Sequence, residues 1–296
     1  MMCFRRNDMS SANYIRSNKQ KAVIWALTIF IGFCALLLLY PVIYISLGSF
    51  KENKELLLGG ANLLPKRFVL ENYTQAWQNA NFSVYTKNSF FLGIGTMILT
   101  VIISSMSGYV FSRKDFKYKE LLYSTFVAFM FVNVGSVTLR PLFELAVKLK
   151  MNTSLVSVVL ILVGTGQATF IFLNRGFVNT IPKELDEAAK IDGCTFFQTF
   201  YRILFPLLKP ITATIALLSF RGGWNEYILP LVFTMSNDSM RPLTVGVNML
   251  RNVGDGAAAW NIVFAGATMA ILPMIVIYLI FSRHFMQGMT AGAVKG

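Results

Sequence analysis

The sequence predicts an all-α polytopic membrane protein that crosses the bilayer as six transmembrane helices. The chain has 296 residues, of which 55% are hydrophobic and only 14% are charged, and its mean hydropathy is +0.56. Soluble domains carry about 25% charged residues, so a soluble globular fold is excluded. Long apolar runs recur along the chain, and basic residues concentrate in some of the connections between them. These two patterns are typical of a multi-pass membrane protein.

Six apolar stretches are predicted to be spans, because a transmembrane helix needs roughly 20 mostly apolar residues. Four stretches reach this length without any Asp, Glu, Lys or Arg, one is just long enough, and one contains Arg221 and Glu226. The six predicted spans are 22–50, 88–112, 121–139, 151–174, 210–234 and 256–282. The first is longer than the apolar core of a signal peptide, so we expect it to be retained.

The distribution of Lys and Arg indicates the orientation, because cytoplasmic connections carry the excess of basic residues. With six spans both termini lie on one side, and the connections on that side hold more Lys and Arg than those on the other. The loop 113–120 is the clearest case, since half of its residues are basic. We therefore expect residues 1–21 to form a cytoplasmic N-terminal tail. Residues 22–296 are expected to form one transmembrane domain whose C-terminus is also cytoplasmic.

The net charge of +13 is explained by this orientation and by contact with anionic lipid headgroups. Membrane lipid is therefore an expected partner, and nucleic acid is not. The three cysteines lie in a tail, a span and a loop, and the chain contains one histidine. Because these residues show none of the spacings of disulfide frameworks or metal sites, we expect no bound metal.

A polar segment, residues 175–209, separates the fourth and fifth predicted spans. Its pattern predicts a short helix that begins at Pro182, a stop at Gly193 and a second helix with an aromatic stripe. Helical spacing gives the first helix one face that contains two alanines and a neighbouring charged face. The first face holds Leu185, Ala188, Ala189 and Asp192, and the second holds Lys183, Glu187 and Lys190. Periodicity alone leaves two alternatives open, a docking surface for a partner or an ordinary amphipathic surface loop.

The same segment resembles the EAA motif of permease subunits of bacterial ABC importers. The residues that carry the resemblance are Glu187, Ala188, Ala189, Gly193, Ile203 and Pro206. In that family the motif forms a coupling helix that inserts into a cleft of a cytoplasmic ATPase. Cys194 stands where alanine is usual, and Phe205 replaces a leucine. Neither departure alters a charge or a turn residue, so the resemblance implies a coupling loop at about 175–209.

Further matches extend over nearly the whole chain and resemble the carbohydrate-importer branch of that family, the maltose-type permeases. They include FVLENYTQAW at 68–77, residues 170–177, the run Trp224-Asn225-Glu226-Tyr227 and the C-terminal GMTAGAVKG at 288–296. The resemblance implies a permease subunit of an ATP-driven importer of mono- or oligosaccharides. It also implies a location in the bacterial cytoplasmic (inner) membrane.

The resemblance implies three protein partners: a dimer of ABC ATPase subunits, a second related permease in a heterodimer, and an extracytoplasmic substrate-binding protein. The chain has neither a G-x-x-x-x-G-K-[ST] phosphate loop nor a catalytic constellation, so we expect no enzymatic activity and no cofactor. ATP and Mg²⁺ would be bound by the partner ATPase. By the same resemblance, Glu187 is expected to pair with a basic residue of the ATPase cleft, with Ala188 and Ala189 supplying the fit.

Arg221 and Glu226 lie inside the fifth predicted span, where ionisable residues usually face a wet cavity and mark a pathway. The family usually has an apolar residue at the position of Arg221. One interpretation is that Arg221 lines the path and binds the carboxylate of an acidic saccharide such as an alginate-type uronate oligomer. The other is an ion pair between Arg221 and Glu226 that stabilises a broken helix. The adjacent Gly222 and Gly223 indicate either a close backbone approach or a local break.

Five more residues are candidates for the substrate pathway. They are Trp224, Asn225, Tyr227, Asn133 and Gln167. The polar groups at 133 and 167 lie among apolar neighbours, where they either touch sugar hydroxyls or join neighbouring helices. An alternative function is a proton- or ion-coupled secondary transporter that uses Arg221 and Glu226 as coupling charges. Such transporters commonly contain internal repeats, and the six spans show no obvious duplication.

Overall fold

The computed structural model describes residues 18–59, 62–132, 135–253 and 258–293. Within these ranges the chain is helical with short connections and contains no strand, which confirms the predicted all-α class. The α-helices are α1 (Asn18–Gly48), α2 (Asn53–Leu58), α3 (Glu71–Asn79), α4 (Phe82–Arg113), α5 (Lys119–Phe129), α6 (Leu139–Lys148), α7 (Leu155–Val178), α8 (Glu184–Ile191), α9 (Phe196–Thr199), α10 (Phe205–Leu207), α11 (Lys209–Asn225), α12 (Ile228–Phe233), α13 (Leu243–Met249) and α14 (Trp260–Ala293). Turns of 3₁₀ helix span Gly135–Thr138, Asp238–Met240 and Leu250–Val253, and a π-helical turn spans Phe200–Leu204.

Four of these helices are long and apolar enough to cross a membrane. Their crossing segments are Lys21–Gly48, Phe82–Arg113, Leu155–Val178 and Trp260–Phe281. A fifth span results if Phe196–Leu207 and Lys209–Asn225, which are bent by 81° at a short break, are counted together. The described residues therefore support up to 5 spans by length and composition, and the predicted number of six is not confirmed.

The third predicted span, 121–139, is not one continuous helix. Its first part, α5, has 11 residues and a length of about 16 Å, which is too short for a hydrocarbon layer of about 30 Å. Bonds of the i to i+3 type replace the α-helical pattern at Phe131 and Val132. Gly135 then adopts a left-handed φ of 58°, a conformation that suits glycine. The prediction of an uninterrupted span is wrong because hydropathy counts apolar residues and does not detect a change in backbone direction.

The fifth predicted span is also interrupted, but not at its glycine pair. Helix α11 ends at Asn225, Glu226 has an extended backbone with φ −64° and ψ 134°, and α12 begins two residues later. Gly222 and Gly223 both lie inside α11. A Cβ atom on Gly223 would lie 2.6 Å from the carbonyl oxygen of Leu92. Gly223 therefore allows α11 and α4 to approach each other closely. The helix break lies beyond it, at Glu226.

Helix α4 lies at the centre of the bundle and packs along both α7 and α11. Small residues permit this close contact, as is usual between membrane helices. A Cβ atom on Gly108 would lie 2.6 Å from the Cβ atom of Asn174. One helical turn along α4, Ser104 accepts a hydrogen bond from Nδ2 of Asn174 at 2.9 Å. Close packing and a buried polar bond therefore hold α4 and α7 at a fixed separation.

At the end of the bundle opposite residues 175–209, a polar network joins α1 to α3 and α14. Nδ2 of Asn72 donates to the carbonyl oxygens of Ser49 and Lys51 at 2.8 and 2.9 Å. Oδ1 of Asn72 accepts from Nδ2 of Asn261 at 2.7 Å. Most of α1 is otherwise exposed, and its apolar window is 0% buried within this chain. The network ties the residues that follow α1 to α3 and α14, while Tyr44 and Gly48 of α1 contact Phe264 of α14 directly.

We predict that Gly223→Ala destabilises the protein by about 1–3 kcal/mol, since the new methyl group would force α11 away from α4. Gly222→Ala is the matched control, because an added Cβ there meets nothing within 4 Å and alanine favours the helix. The unfolding midpoint of the purified proteins in detergent should fall for Gly223→Ala and stay level or rise for Gly222→Ala. Equal changes in the two variants would contradict the close approach.

Candidate functional sites in the 175–209 loop and in a cavity between the helices

The first helix of the loop, α8, forms where its charges favour a helix. Glu184, Asp186 and Glu187 lie in the first turn, where negative charge stabilises the positive end of the helix dipole. The helix begins at Glu184, so the predicted start at Pro182 is two residues too early. Gly193 has a φ of 79°, a left-handed conformation that ends helices. The predicted stop at this glycine is confirmed.

The second part of the loop begins with a capping box. Oγ1 of Thr195 accepts a hydrogen bond from the backbone N–H of Gln198 at 3.3 Å. In return, Oε1 of Gln198 accepts from the backbone N–H of Thr195 at 2.8 Å. These reciprocal bonds satisfy two donors at the helix start. The helix continues through the π-helical turn to Leu207, where the chain bends into α11.

An ion pair fixes the loop to the end of α4. Nε of Arg113 lies 2.9 Å from Oδ2 of Asp186, and the Arg113 side chain is only 6% exposed. Nη2 of Arg113 also donates to the carbonyl oxygen of Ile181 at 2.6 Å. The hydroxyl of Tyr109 donates to Oδ1 of Asp186 at 3.2 Å. The Tyr109 ring stacks on Phe196 with their centroids 4.4 Å apart. Both parts of the loop are therefore anchored to the same span.

The orientation of α8 separates the two alanines that the sequence placed on one contact face. Ala189 is 2% exposed and belongs to the inward side of the helix, whereas Ala188 is exposed. The prediction that both form one outward docking face is therefore wrong for Ala189. Leu185 and Asp192 are exposed as expected, and Ile191 at the helix end is 87% exposed. The outward face of α8 combines apolar and charged groups that a partner could cover.

The charged face of α8 borders a small cavity of about 360 Å³ beside the 113–120 loop. The cavity is lined by Tyr109, Arg113, Lys114, Lys183, Asp186, Glu187, Lys190, Cys194, Phe196 and Thr199. Basic side chains outnumber acidic ones in this lining. Nearby, Nζ of Lys119 donates to Oδ1 of Asp115 at 3.0 Å, and this bond and the lysine charge lower the pKa of the Asp115 carboxyl. Lys183, Glu187 and Lys190, the predicted charged face of α8, all line this cavity.

A second, larger cavity of about 870 Å³ lies between α5, the start of α6, α7 and α12. Its lining is mostly apolar and aromatic and includes three threonines. The lining residues are Phe126, Phe129, Met130, Val132, Gly135, Thr138, Leu139, Leu142, Ile161, Leu162, Gly164, Thr165, Ala168, Thr169, Glu226, Ile228 and Leu229. Glu226 is the one ionisable residue among them. Glu226 lies in the break that follows α11.

Glu226 is held by bonds to the segments that follow it. Oε1 of Glu226 accepts from the backbone N–H of Leu229 at 3.2 Å, which caps the start of α12. Its carbonyl oxygen accepts from Oγ1 of Thr244 at 2.8 Å. Among the described residues, Glu226 forms no ion pair with Arg221. The predicted alternative of an internal ion pair is therefore wrong, because the carboxylate caps a helix instead.

Arg221 does not line the larger cavity. It is exposed and shares one side of α11 with Asn225, one helical turn further on. Both side chains therefore lie on a part of α11 that other helices of this chain leave uncovered. The side chain of Arg221 stays a candidate for the substrate path, but on a surface separate from the cavity that holds Glu226.

The other candidates are distributed between core and surface. Trp224 is 3% exposed and packs against Phe90, with ring centroids 5.0 Å apart, so it belongs to the core. Gln167 is buried, does not line the cavity, and has no hydrogen-bond partner for its side-chain amide among the described residues. Tyr227 is half-buried outside the cavity lining, and Asn133 lies outside the described residues. Thr165, which the sequence pairs with Gln167 as a polar group of the fourth span, does line the cavity. The other lining threonines and phenylalanines were missed, although Thr165, Ala168 and Thr169 share one face of α7.

The described residues contain no group of three or more His, Cys, Asp or Glu side chains that could hold a metal ion.

Comparison with known proteins identifies the family of the chain. The family model described as "Binding-protein-dependent transport system inner membrane component" matches residues 80–291. The arabinooligosaccharides transport system permease protein AraQ of Bacillus subtilis (strain 168) is 36% identical over 277 residues, which cover 92% of this chain and 95% of AraQ. The melibiose/raffinose/stachyose import permease protein MelC of the same organism is 34% identical over 242 residues, with coverage of 79% and 84%.

The fold is similar to one chain in the crystal structure of a bacterial ABC transporter involved in the import of the acidic polysaccharide alginate. The TM-score is 0.78 at 22% sequence identity, and the match covers 91% of this chain and 99% of the other. At this identity the likeness concerns the fold. From the match of the family model over residues 80–291, we conclude that the chain belongs to the inner-membrane components of binding-protein-dependent transport systems.

Proposed function

We propose that this chain is the permease subunit of an ATP-driven ABC importer of saccharides. The observation that carries the proposal is the anchored loop: α8 presents an outward face at the end of a membrane-crossing bundle, fixed to α4 by the Arg113–Asp186 ion pair. Relatives named as permeases for arabinooligosaccharides and for melibiose, raffinose and stachyose support the saccharide class. These relatives are named as permease proteins, which also supports a role as the translocation subunit. ATP and Mg²⁺ would then be bound by partner ATPases.

The loop supports a specific mode of coupling to the ATPase. Glu187, Ala188 and Ile191 lie on the exposed side of α8, where an ATPase cleft could enclose them. Glu187 would pair with a basic residue of that cleft, with Lys183, Lys190 and Asp192 as surrounding charged contacts. Ala189 would act from the inner side by allowing α8 to lie close to the bundle. Closure of the ATPase dimer would then displace the loop and the attached helices as a rigid unit.

The uncovered side of α11 supports the presence of a second permease subunit. An arginine at membrane depth costs about 2.5–3.5 kcal/mol on insertion scales, so such residues face protein or water. Arg221 and Asn225 are exposed in this chain alone, and a related permease would cover that face and complete the translocation path. We expect the pair to be a heterodimer. Both termini and the loop would be cytoplasmic, and a binding protein would dock at the opposite end of the bundle.

Purification of the tagged protein from its native host tests the proposal. We expect an ABC ATPase and a second permease to copurify, and proteoliposomes of the complex to take up saccharide only with ATP, Mg²⁺ and the binding protein. A proton- or ion-coupled secondary transporter would instead act without ATP and lose uptake when ionophores abolish the ion gradient. Saccharide uptake by the chain alone, driven by such a gradient, would contradict the proposal.

Loss of the Asp186 carboxylate should uncouple ATP hydrolysis from transport. Asp186→Asn removes the ion pair with Arg113, and we expect saccharide uptake per ATP hydrolysed to fall about tenfold while the subunits still assemble. Arg113→Gln should have a similar effect, and the double variant should be little worse than either one, since the partners act together. Additive losses in the double variant would show that the two side chains act separately.

Glu187 is expected to contribute to docking rather than to the internal structure of the loop. Glu187→Gln should reduce the copurified ATPase and the stimulated rate of ATP hydrolysis at least about tenfold, as is typical when one charge of an interfacial pair is removed. Glu184→Gln is the matched control, because it removes an exposed carboxylate from the same turn of α8. Indistinguishable losses in the two variants would argue against a specific pair at Glu187.

A further inference from the structure

We propose that the 870 Å³ cavity is a binding subsite for an uncharged, hydroxyl-rich saccharide, with the Glu226 carboxylate accepting sugar hydroxyls and disfavouring acidic sugars. The inference rests on the proposed function and assigns the substrate class to one place in this subunit. It differs from the expectation that Arg221 selects a uronate. The argument combines the location of the cavity, the chemistry of its lining and the charge at Glu226.

The location of the cavity suits a translocation path. Its lining includes six residues of α7, from Ile161 to Thr169, which lie near the middle of a helix that spans Leu155–Val178. Two breaks meet it, one between α5 and α6 and one between α11 and α12. Non-helical backbone at membrane depth is tolerated where it lines a water-filled cavity or is buried in protein. Discontinuous helices near the midplane are also where transporters commonly place their substrates.

The size and lining of the cavity fit a sugar. Ligand pockets typically have volumes of about 300–1,000 Å³, and the value of about 870 Å³ falls within this range. Phe126 and Phe129 are exposed and present ring surface that can pack against the apolar faces of a pyranose or furanose. Thr138, Thr165 and Thr169 add hydroxyl groups. Aromatic surface together with hydroxyl and carboxylate oxygens is well suited to a molecule that has both C–H faces and many O–H donors.

The negative charge in the cavity favours neutral sugars over acidic ones. One carboxylate oxygen of Glu226, Oε1, is held by the N–H of Leu229. The other, Oε2, has no hydrogen-bond or ion-pair partner among the described residues, so it can accept from a sugar hydroxyl. Charge-assisted bonds of this kind are stronger than neutral ones. A uronate would instead bring a second negative charge near Glu226, and the lining contains no Lys or Arg to offset the repulsion.

Protection of a cysteine from chemical labelling tests this subsite without the binding protein. The complete complex, with its native cysteines replaced by alanine, is placed in lipid nanodiscs with Thr165→Cys in the cavity wall, and its reaction with N-ethylmaleimide is followed. The neutral probes are raffinose and arabinotriose, and the acidic probe is trigalacturonate, so all three are trisaccharides. Leu160→Cys is the control, because Leu160 is an exposed residue of α7 that does not line the cavity.

At least one neutral trisaccharide should protect the cysteine at 165 at concentrations about tenfold or more below those needed for trigalacturonate. Glu226→Gln keeps the acceptor for the Leu229 N–H but removes the charge, and it should reduce this ratio to less than about threefold. The labelling rate at position 160 should not change with any of the sugars. These results together would support the subsite.

Absence of protection by both neutral sugars, equal protection by acidic and neutral sugars, or an unchanged ratio in Glu226→Gln would overturn the inference. The proposed function is tested separately by ATP-dependent uptake in proteoliposomes that contain the binding protein. Protection without ATP-dependent uptake would contradict the proposed function and leave the subsite standing. Uptake without protection would contradict the subsite alone.

Discussion

The ion pair between Arg113 and Asp186 is the interaction on which the arrangement of the 175–209 loop depends. It joins the last residue of α4 to the first turn of α8, at a distance of 2.9 Å and with the arginine side chain almost fully buried. Desolvation offsets much of the Coulombic attraction of such a pair, so its net contribution to stability is small. Its role is geometric. Together with the hydrogen bonds that Tyr109 donates to Asp186 and that Arg113 donates to Ile181, it fixes the position of the loop relative to α4.

Helix α4 connects the loop to the remainder of the bundle. Helix α4 contacts α7 through Gly108 and Ser104, and it contacts α11 through Leu92, which faces Gly223. Packed interfaces of this kind resist continuous deformation and move as units. A displacement of α8 would therefore move α4 together with α7, which lines the larger cavity, and α11, whose break borders it. The 175–209 loop and the cavity are connected by packed helices rather than by flexible connections.

Local features that depend on one residue type were predictable from the sequence. The end of α8 at Gly193 followed from the conformational freedom of glycine, and the helix itself followed from its charges and periodicity. The direction of side chains across a break was not predictable. Arg221 and Glu226 are five positions apart, and only the extended backbone at 226 decides that the carboxylate, and not the guanidinium, reaches the cavity.

The break between α5 and α6 escaped prediction for a related reason: its polar residues stand singly between apolar neighbours, so the apolar run continues through it, and its signal is a glycine with positive φ. Ala189 could not be assigned to the inner face from helical spacing alone, because the pattern fixes which residues share a face but not where that face points. Periodicity therefore located the elements, whereas the contacts of Arg113 and Tyr109 determined their rotation.

The exposed first helix has a consequence for how the protein is made. Helix α1 is strongly apolar from Ala22 onwards and largely exposed, and its more buried residues lie at its C-terminal end, where Tyr44 and Gly48 contact Phe264. It can therefore enter the bilayer early in synthesis without waiting for the other helices. Its long apolar surface is then available to lipid. Membrane insertion of α1 is therefore separable from the packing of the remaining helices.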